Sequence, residues 1–308
     1  MNDADDGDEA AVETRRACLV DAFTDEPLRG NAAGVVPDAA GLTDEQMQSI
    51  ARELGASETA FLRPSEEADR RVRYFTPETE VDLCGHATIG SHALLYADST
   101  LEAGTHTLAT NVGVLEIEVE SGGRVWMTQD DPEIREVEIG YDRLGSVLGI
   151  DPEAMRDVGA DLPVAHASTG LPFLVVPVNF LEHVGNADPD MRAIEELSDE
   201  FGVAGVYVFT FDTLDAESTL HARMFAPGAG VPEDPVTGTA SGAAGAYLDR
   251  FGAVDTDAMR FEQGHFLDRD GTVHVEIGER VRVGGDAVVS FEGRLLVPAA
   301  SEDEILEI

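Results

Sequence analysis

Hydrophobic and polar residues follow two spacings along this chain, one helical and one strand-like. Between Thr43 and Leu54 the apolar residues fall on one face at helical spacing, which predicts a helix. Thr43 and Gln46 fit a capping box at its start, and Gly55 stands where a left-handed residue would end it. Strands are predicted at 17–23, 57–62, 71–75, 112–119 and 124–128. The apolar, β-branched and aromatic runs at 171–178 and 206–211 are suited to buried strands.

Three further helices are predicted, and two of them have no clear polar face. The segment 188–201 is predicted to begin with Asp188 as N-cap and Pro189 as its first helical residue. The segments 88–96 and 239–251 are made of small and apolar residues. Such helices belong inside a structure, wrapped by strands. The last stretch, 259–297, is predicted to form hairpins, with turns at Gly264, Asp270-Gly271, Gly284-Gly285 and Gly293.

The chain contains an internal repeat at an offset of 150 residues. Arg73-Tyr74-Phe75-Thr76-Pro77 corresponds to Arg223-Met224-Phe225-Ala226-Pro227, and the same offset carries Cys84 onto Asp234. Earlier in each half, a glycine is followed by Val-Val-Pro at an offset of 140. Chance similarity between strand–turn–helix segments is the alternative explanation. Because two repeated motifs occur in the same order, we predict two similar halves, with Cys84 and Asp234 facing each other across a shared cleft.

The composition excludes several classes of function. The chain has no lysine, so it cannot form a Schiff base and has no lysine for a phosphate-binding loop. Its net charge of −41 argues against binding to nucleic acids or to anionic membranes. An acidic excess with arginine as the sole strong base favours a salt-adapted cytoplasm, where ions screen self-repulsion. An ordinary soluble acidic protein is the weaker alternative.

The length and the termini suggest a soluble protein with two domains. We predict an acidic disordered tail at 1–13, an N-terminal half at 14–132 joined by the last strand at about 292–308, and a C-terminal half at 133–291. Cys18 and Cys84 do not make a disulfide framework. The acidic start does not resemble a secretory signal, and no apolar run approaches the roughly 18 residues of a membrane span. A cytoplasmic location and a homodimer are expected.

Two small-residue turns that open helices are candidate anion sites. Gly85-His86-Ala87-Thr88 and Thr237-Gly238-Thr239-Ala240 would each present free backbone N–H groups at a helix N-terminus. Taken singly, each is more often a plain helix start. Facing one cleft together, they would suit a carboxylate whose negative charge grows as a neighbouring C–H is ionised.

Several side chains of this chain are candidates for catalysis or ligand binding. Glu58 lies in an apolar strand segment and would suit a general acid/base if it faces the interior, although a solvent-facing position is the alternative. Cys84 at a helix N-terminus could be a thiolate with a lowered pKa. His86 and His92 lie on different faces of one helix, so no joint metal site and no metal or cofactor is expected. Asp234 is a further candidate, because the proline that follows it restricts the backbone at this turn. Arg73 and Arg223 could offset the negative field locally or form surface salt bridges.

At these residues the chain resembles the PhzF family, the phenazine-biosynthesis isomerase-like proteins. The resemblance rests on Asp21-Ala22-Phe23-Thr24 with Gly30-Asn31, on Ser57-Glu58-Thr59-Ala60-Phe61, on Cys84-Gly85-His86-Ala87-Thr88 and on Glu233-Asp234-Pro235-Val236-Thr237-Gly238-Thr239-Ala240. These motifs run in order over nearly the whole chain. The resemblance implies a fold like that of diaminopimelate epimerase, with two pseudo-symmetric domains, each a curved sheet around a central helix (class α+β).

The resemblance also implies roles for individual residues. Glu58 would be the catalytic acid/base that moves a proton without a cofactor, and His86 and Asp234 would belong to the same active site. Cys84, Gly85, Ala87, Gly238 and Thr239 would bind the substrate, a small carboxylate-bearing metabolite. Because Asp234 stands where related epimerases carry their second cysteine, a two-thiol mechanism is excluded. A non-catalytic binding protein on the same scaffold is the competing hypothesis.

Overall fold

Strands dominate the computed structural model, which describes residues 13–159 and 161–298. The strands that precede residue 130 are β1 (Thr14–Ala22), β2 (Asn31–Val36), β3 (Thr59–Arg63), β4 (Arg70–Phe75), β5 (Glu80–Val81), β6 (Gly104–Thr110), β7 (Gly113–Val119) and β8 (Val125–Thr128). The later strands are β9 (Glu133–Glu136), β10 (Ala165–Ser168), β11 (Pro172–Pro177), β12 (Gly205–Thr210), β13 (Leu220–Ala226), β14 (Val231–Asp234), β15 (Ala258–Gln263), β16 (Gly271–Ile277), β17 (Val281–Gly285) and β18 (Ala287–Leu296). The helices are α1 (Asp44–Leu54), α2 (Gly85–Ala97), α3 (Tyr141–Leu148), α4 (Glu153–Arg156), α5 (Leu181–Gly185), α6 (Met191–Phe201) and α7 (Gly238–Arg250).

The two halves have the same strand order, which confirms the internal repeat. The first half runs β18, β1, β2, β3, β4, β6, β7, β8, with the short β5 paired to β4. The second runs β9, β10, β11, β12, β13, β15, β16, β17, with β14 paired to β13. Parallel pairs occur at matching places in both orders: β2–β3 with β11–β12, and β4–β6 with β13–β15. Antiparallel pairing of β8 with β17 joins the halves.

One helix without a polar face lies inside each half, as the sequence predicted. Helix α2 packs against β1, β2, β8 and β18, while α7 packs against β10, β11, β16 and β17. The glycines of α7 allow this close wrapping. A Cβ placed on Gly245 would come within 2.6 Å of Cγ1 of Val275, and one on Gly242 within 3.0 Å of Cγ1 of Val283. Small residues are therefore required where strands pass close to the helix, which confirms the fold class.

Helix α6 begins two residues later than predicted, at Met191 instead of Pro189. Its N-cap is Asp190 rather than Asp188, because the Asp190 carboxylate accepts hydrogen bonds from the backbone N–H groups of Arg192 and Ala193. The backbone of Asp188 instead packs against the end of α3. A Cβ placed on Gly149 would lie 2.4 Å from the Asp188 carbonyl oxygen. Both aspartates suit a cap, and tertiary contacts decided between them.

Two of the predicted turns lie inside strands. Gly284-Gly285 ends β17, and Gly293 lies within β18. A Cβ on Gly284 would come within 2.5 Å of the indole ring of Trp126, which lies opposite it on β8. The glycine at this position makes room for the ring on the neighbouring strand. In the sequence alone, a glycine with this role cannot be distinguished from a glycine in a turn.

Arg73 and Arg223 are ion-pair residues at equivalent positions of β4 and β13. Arg73 donates to both carboxylate oxygens of Glu80, at 2.7 and 2.6 Å. Arg223 donates to both oxygens of Glu233 at 2.8 Å and to two backbone carbonyls of the segment 184–187. Both arginines are therefore salt-bridge partners, but the Arg223–Glu233 pair is buried and does not lie at the surface as that alternative supposed.

Some expectations fall outside what the structure describes. All of the predicted acidic tail, apart from Glu13, lies outside the described residues, and the predicted domain boundaries stay predictions. Within the two described ranges, no helix has both the length and the apolar character to cross a bilayer.

The net charge leads us to propose that the folded state is adapted to salt. The thermal midpoint should rise steeply from low to molar potassium chloride, because the Debye length shortens from about 10 Å at 0.1 M to about 3 Å at 1 M and screens the repulsion among the acidic groups. Differential scanning calorimetry along the salt series measures this. Sucrose at matched osmolality is the control, since it does not screen charge. A midpoint that ignores potassium chloride would contradict the proposal.

Candidate active site

Elements of both halves bring the candidate residues to the start of the two buried helices. Glu58 directly precedes β3 rather than lying within it, and its backbone carbonyl accepts a hydrogen bond from Gly34 on the neighbouring β2. Cys84 is the N-cap residue of α2, so Gly85, His86 and Ala87 form the first turn of that helix. Asp234 ends β14, just before α7.

Glu58 and His86 form the centre of the site. Oε2 of Glu58 lies 3.3 Å from Nε2 of His86, and the two side chains are 21% and 12% exposed. The same Oε2 is buried and makes no hydrogen bond with the described residues. A buried polar atom without a partner is costly, so such an atom in a site calls for a partner supplied by a ligand. Nε2 of His86 also lies 3.3 Å from Oγ of Ser57.

Asp234 is fixed by hydrogen bonds from both halves. Nδ2 of Asn31, on β2, donates to Oδ1 of Asp234 at 2.8 Å, and Oγ1 of Thr237 donates to Oδ2 at 2.5 Å. Burial raises the pKa of Asp234, and the negative charge of Glu58 acts in the same direction, while the His86 charge and the two hydrogen bonds oppose them. Asp234 is therefore close enough to Glu58 and His86 for their charges to affect its pKa.

The N-termini of α2 and α7 converge, as predicted. A Cβ placed on Gly85 would lie 3.8 Å from Oγ1 of Thr239, although the two residues belong to different halves. Neither N-cap residue, Cys84 or Thr237, forms a side-chain capping hydrogen bond. The first N–H groups of both helices therefore have no side-chain cap and can bind an anion. Ala87 is fully buried, so it can contribute only its backbone.

An apolar cavity of about 440 Å³ extends from these helix starts. Gly85, Gly238 and Thr239 form one part of its wall. Apolar side chains from both halves supply most of the remainder, namely Phe23, Leu83, Ile89, Val112, Leu115, Met127, Leu171 and Val283. Asp82, Asp130, Thr128, Gln129, Thr169 and Gly170 complete the lining, and none of the described residues that line the cavity is an arginine. The cavity suits a molecule with an apolar body and one end at the helix N-termini.

The environment of Cys84 contradicts the expectation of a lowered pKa. Burial raises the pKa of the Cys84 thiol well above its usual range, and the negative charge of Glu58 raises it further. The thiol is thus protonated at neutral pH and is a poor base. His92 is separate from this site: its Nδ1 lies 2.9 Å from the Thr88 carbonyl oxygen, and burial lowers its pKa to about 4.

Three supporting residues were not among the candidates. Phe23 is buried, has a φ of 67°, and lies so close to Gly238 that a Cβ there would come within 2.8 Å of its ring. A bulky residue in the left-handed region is uncommon and often marks a functional site. Asn31 holds Asp234, and Nε2 of Gln263 donates to the Asp234 carbonyl at 2.7 Å. Phe23 and Asn31 belong to motifs already noted, whereas Gln263 carries no sequence signal.

Comparison with known proteins decides the family. The profile of the phenazine biosynthesis-like proteins (PhzC-PhzF) matches residues 20–293. This chain belongs to that family. The uncharacterized isomerase YfhB of Bacillus subtilis is 39% identical over 293 residues, which cover 94% of this chain and 97% of that protein. The uncharacterized isomerase YddE of Escherichia coli K12 is 35% identical over 285 residues, which cover 88% and 95%. As a PhzF-family member, the chain is an enzyme of the isomerase class.

Solved structures agree with this assignment. The Bacillus anthracis phenazine biosynthesis protein of the PhzF family superimposes with a TM-score of 0.85 at 35% identity, covering 92% of this chain and all of that one. A hydroxyproline epimerase from Agrobacterium vitis shares the fold with a TM-score of 0.58 at 14% identity, covering 92% and 91%. The family fold is thus found in epimerases as well.

Proposed function

We propose that this isomerase moves a proton at a carbon next to, or conjugated with, a substrate carboxylate, without a cofactor. The observation that carries the proposal is the buried Oε2 of Glu58, which makes no hydrogen bond with the part of the chain that the structure describes and lies beside His86 at the junction of the two halves. Because Oε2 makes no hydrogen bond with the described residues, it has a lone pair with which to accept a proton.

The helix starts supply the second requirement of the reaction. Loss of a proton from carbon moves electron density onto the substrate carboxylate, and the N–H groups at the N-termini of α2 and α7 would stabilise that charge. The converging positions of Gly85 and Thr239 support binding of one carboxylate by both helices. Arg73 and Arg223 are committed to Glu80 and Glu233, so backbone groups rather than these guanidinium groups would hold the anion.

The proposed reaction is a proton transfer in which Glu58 acts first as a base and then as an acid. Glu58 takes the proton, the C–H electron pair delocalises into the carboxylate, and the protonated Glu58 then returns the proton to a different carbon. His86 would hold the carboxyl group of Glu58 in place and assist the relay. Asp234, whose pKa burial raises, would hydrogen-bond to the substrate from the second half. The apolar cavity would receive the body of the substrate.

Hydrogen–deuterium exchange tests the proposal directly. A panel of small 2-hydroxy, 2-amino and β,γ-unsaturated carboxylic acids with apolar bodies is incubated with the protein in deuterated buffer and followed by proton NMR. We expect loss of the signal from one acidic C–H in at least one acid, and none in protein-free buffer. If acids of the panel raise the thermal midpoint but none of them exchanges, the result contradicts catalysis and favours the non-catalytic binding hypothesis.

A further inference from the structure

The side chains of Glu58, Cys84 and His86 form a compact set of three different ligand types. One potential ligand atom from each lies within 4.8 Å of the others. Nε2 of His86 is 3.3 Å from Oε2 of Glu58 and 3.8 Å from Sγ of Cys84. Within the two described ranges, no other group of three histidine, cysteine or acidic side chains is this compact.

These spacings match the edges of a tetrahedral zinc site. With bond lengths of about 2.3 Å to sulfur and about 2.0–2.2 Å to nitrogen and oxygen, two ligand atoms of one ion lie about 3.4 Å apart for nitrogen and oxygen and about 3.6 Å apart for nitrogen and sulfur. The observed 3.3 and 3.8 Å differ from these values by only a few tenths of an ångström. The third edge, between Glu58 and Sγ of Cys84, is at most 4.8 Å, and this Sγ also lies 3.5 Å from Nδ1 of His86. Binding of one ion by all three side chains therefore requires the Glu58 and Cys84 side chains to rotate toward Nε2 of His86.

We propose that Glu58, Cys84 and His86 bind a borderline-soft divalent cation such as Zn²⁺, and that its binding inhibits the isomerase. Thiolate, imidazole and carboxylate together are the ligands such ions prefer, whereas Mg²⁺ and Ca²⁺ prefer oxygen alone. The same Oε2 of Glu58 makes no hydrogen bond with the described residues, which is a further sign of a missing ligand. Binding converts the Cys84 thiol to a metal-bound thiolate and releases one proton to solvent. Three protein ligands leave a fourth position for water.

Inhibition follows because the metal and the substrate would compete for one atom. A metal ion bound to Oε2 occupies the lone pair with which Glu58 would accept the proton. This consequence rests on the proposed function, whereas metal binding itself does not. The two parts can therefore fail separately.

Co²⁺ serves as the spectroscopic probe of the site. Tag-free, chelator-treated protein is titrated with Co²⁺ in molar potassium chloride, which suppresses loose binding to the acidic surface. We expect a thiolate-to-cobalt charge-transfer band that saturates at one ion per chain and that Zn²⁺ abolishes. Cys84→Ala should lose the band. Cys18→Ala is the matched control and should keep it, because Cys18 is the other buried free cysteine and lies outside the cluster.

Competition with a chromophoric chelator gives the Zn²⁺ affinity of each variant. Loss of a supporting contact alone costs about 10–100-fold in metal affinity, so Cys84→Ala and Glu58→Gln should each weaken binding by at least about that factor. Equal affinity in wild type and both variants, or a cobalt band that depends on Cys18, would overturn the site. Circular dichroism checks that each variant is folded.

The inhibitory part has its own readout. With an exchanging acid from the panel, Zn²⁺ should stop deuterium exchange in wild type, and a chelator should restore it. Exchange that continues at full zinc occupancy would overturn inhibition while leaving the metal site standing. If no acid exchanges at all, the proposed function fails, and the cobalt spectra still decide the metal site.

Discussion

Replacing Glu58 by glutamine should slow deuterium exchange into the substrate by about 10²–10⁴-fold, the usual cost of losing a general base. Glutamine keeps the shape of the side chain and can still contact His86, but it cannot accept a proton. Cys84→Ala should retain most of the activity, because burial and the charge of Glu58 raise the pKa of the thiol and keep it protonated. The two variants therefore separate a carboxylate base from a thiolate base.

Proton NMR time courses in deuterated buffer measure the rate of deuterium exchange for wild type and both variants, with the same acid in each case. Thermal shift with that acid controls for binding, which Glu58→Gln should preserve. Fast exchange in Glu58→Gln together with its loss in Cys84→Ala would make Cys84 the base and Glu58 a structural residue. Loss of exchange in both would indicate that the thiol takes part in the proton relay.

Removing the Arg223 guanidinium should destabilise the protein by about 3–5 kcal/mol, as expected when one partner of a buried ion pair is deleted. Arg223 and Glu233 side chains are only 10% and 12% exposed, so Arg223→Ala leaves a carboxylate with little access to water. The substitution also removes donors from the carbonyl groups of Val184 and Ala187. Because this pair lies on β13 and β14, its loss loosens the strand that leads to Asp234.

Urea unfolding in molar potassium chloride measures the loss at constant screening. Arg143→Ala is the matched control: Arg143 and Glu200 are 48% and 50% exposed, and solvent screens such a pair, so its loss should hardly change the stability. The double variant Arg223→Met/Glu233→Met should recover part of the stability, since no unpaired charge remains. Equal losses in Arg223→Ala and Arg143→Ala would show that burial of the pair has no energetic weight.

Sequence patterns correctly predicted those helices whose ends are fixed by residues close to them in the sequence. Helix α1 has the capping box of Thr43 and Gln46 and ends at Gly55 with a φ of 66°, because capping involves atoms a few residues apart. The predicted start of α6 was wrong, because Asp188 and Asp190 are equally suitable N-cap residues when judged from the sequence alone. Only the packing of Asp188 against Gly149 distinguishes them.

The repeat and the motifs in the sequence were enough to predict two facing halves, their wrapped helices and the family. They identified Glu58, His86 and Asp234 as candidates but not the atoms that surround them. That Oε2 of Glu58 lies near His86, that Asn31 holds Asp234 and that Cys84 completes a possible metal site depends on residues far apart in the chain. Periodicity and capping are local properties of a chain, whereas the contacts and burial that set the chemistry of a site exist only after the sheets close around the two helices.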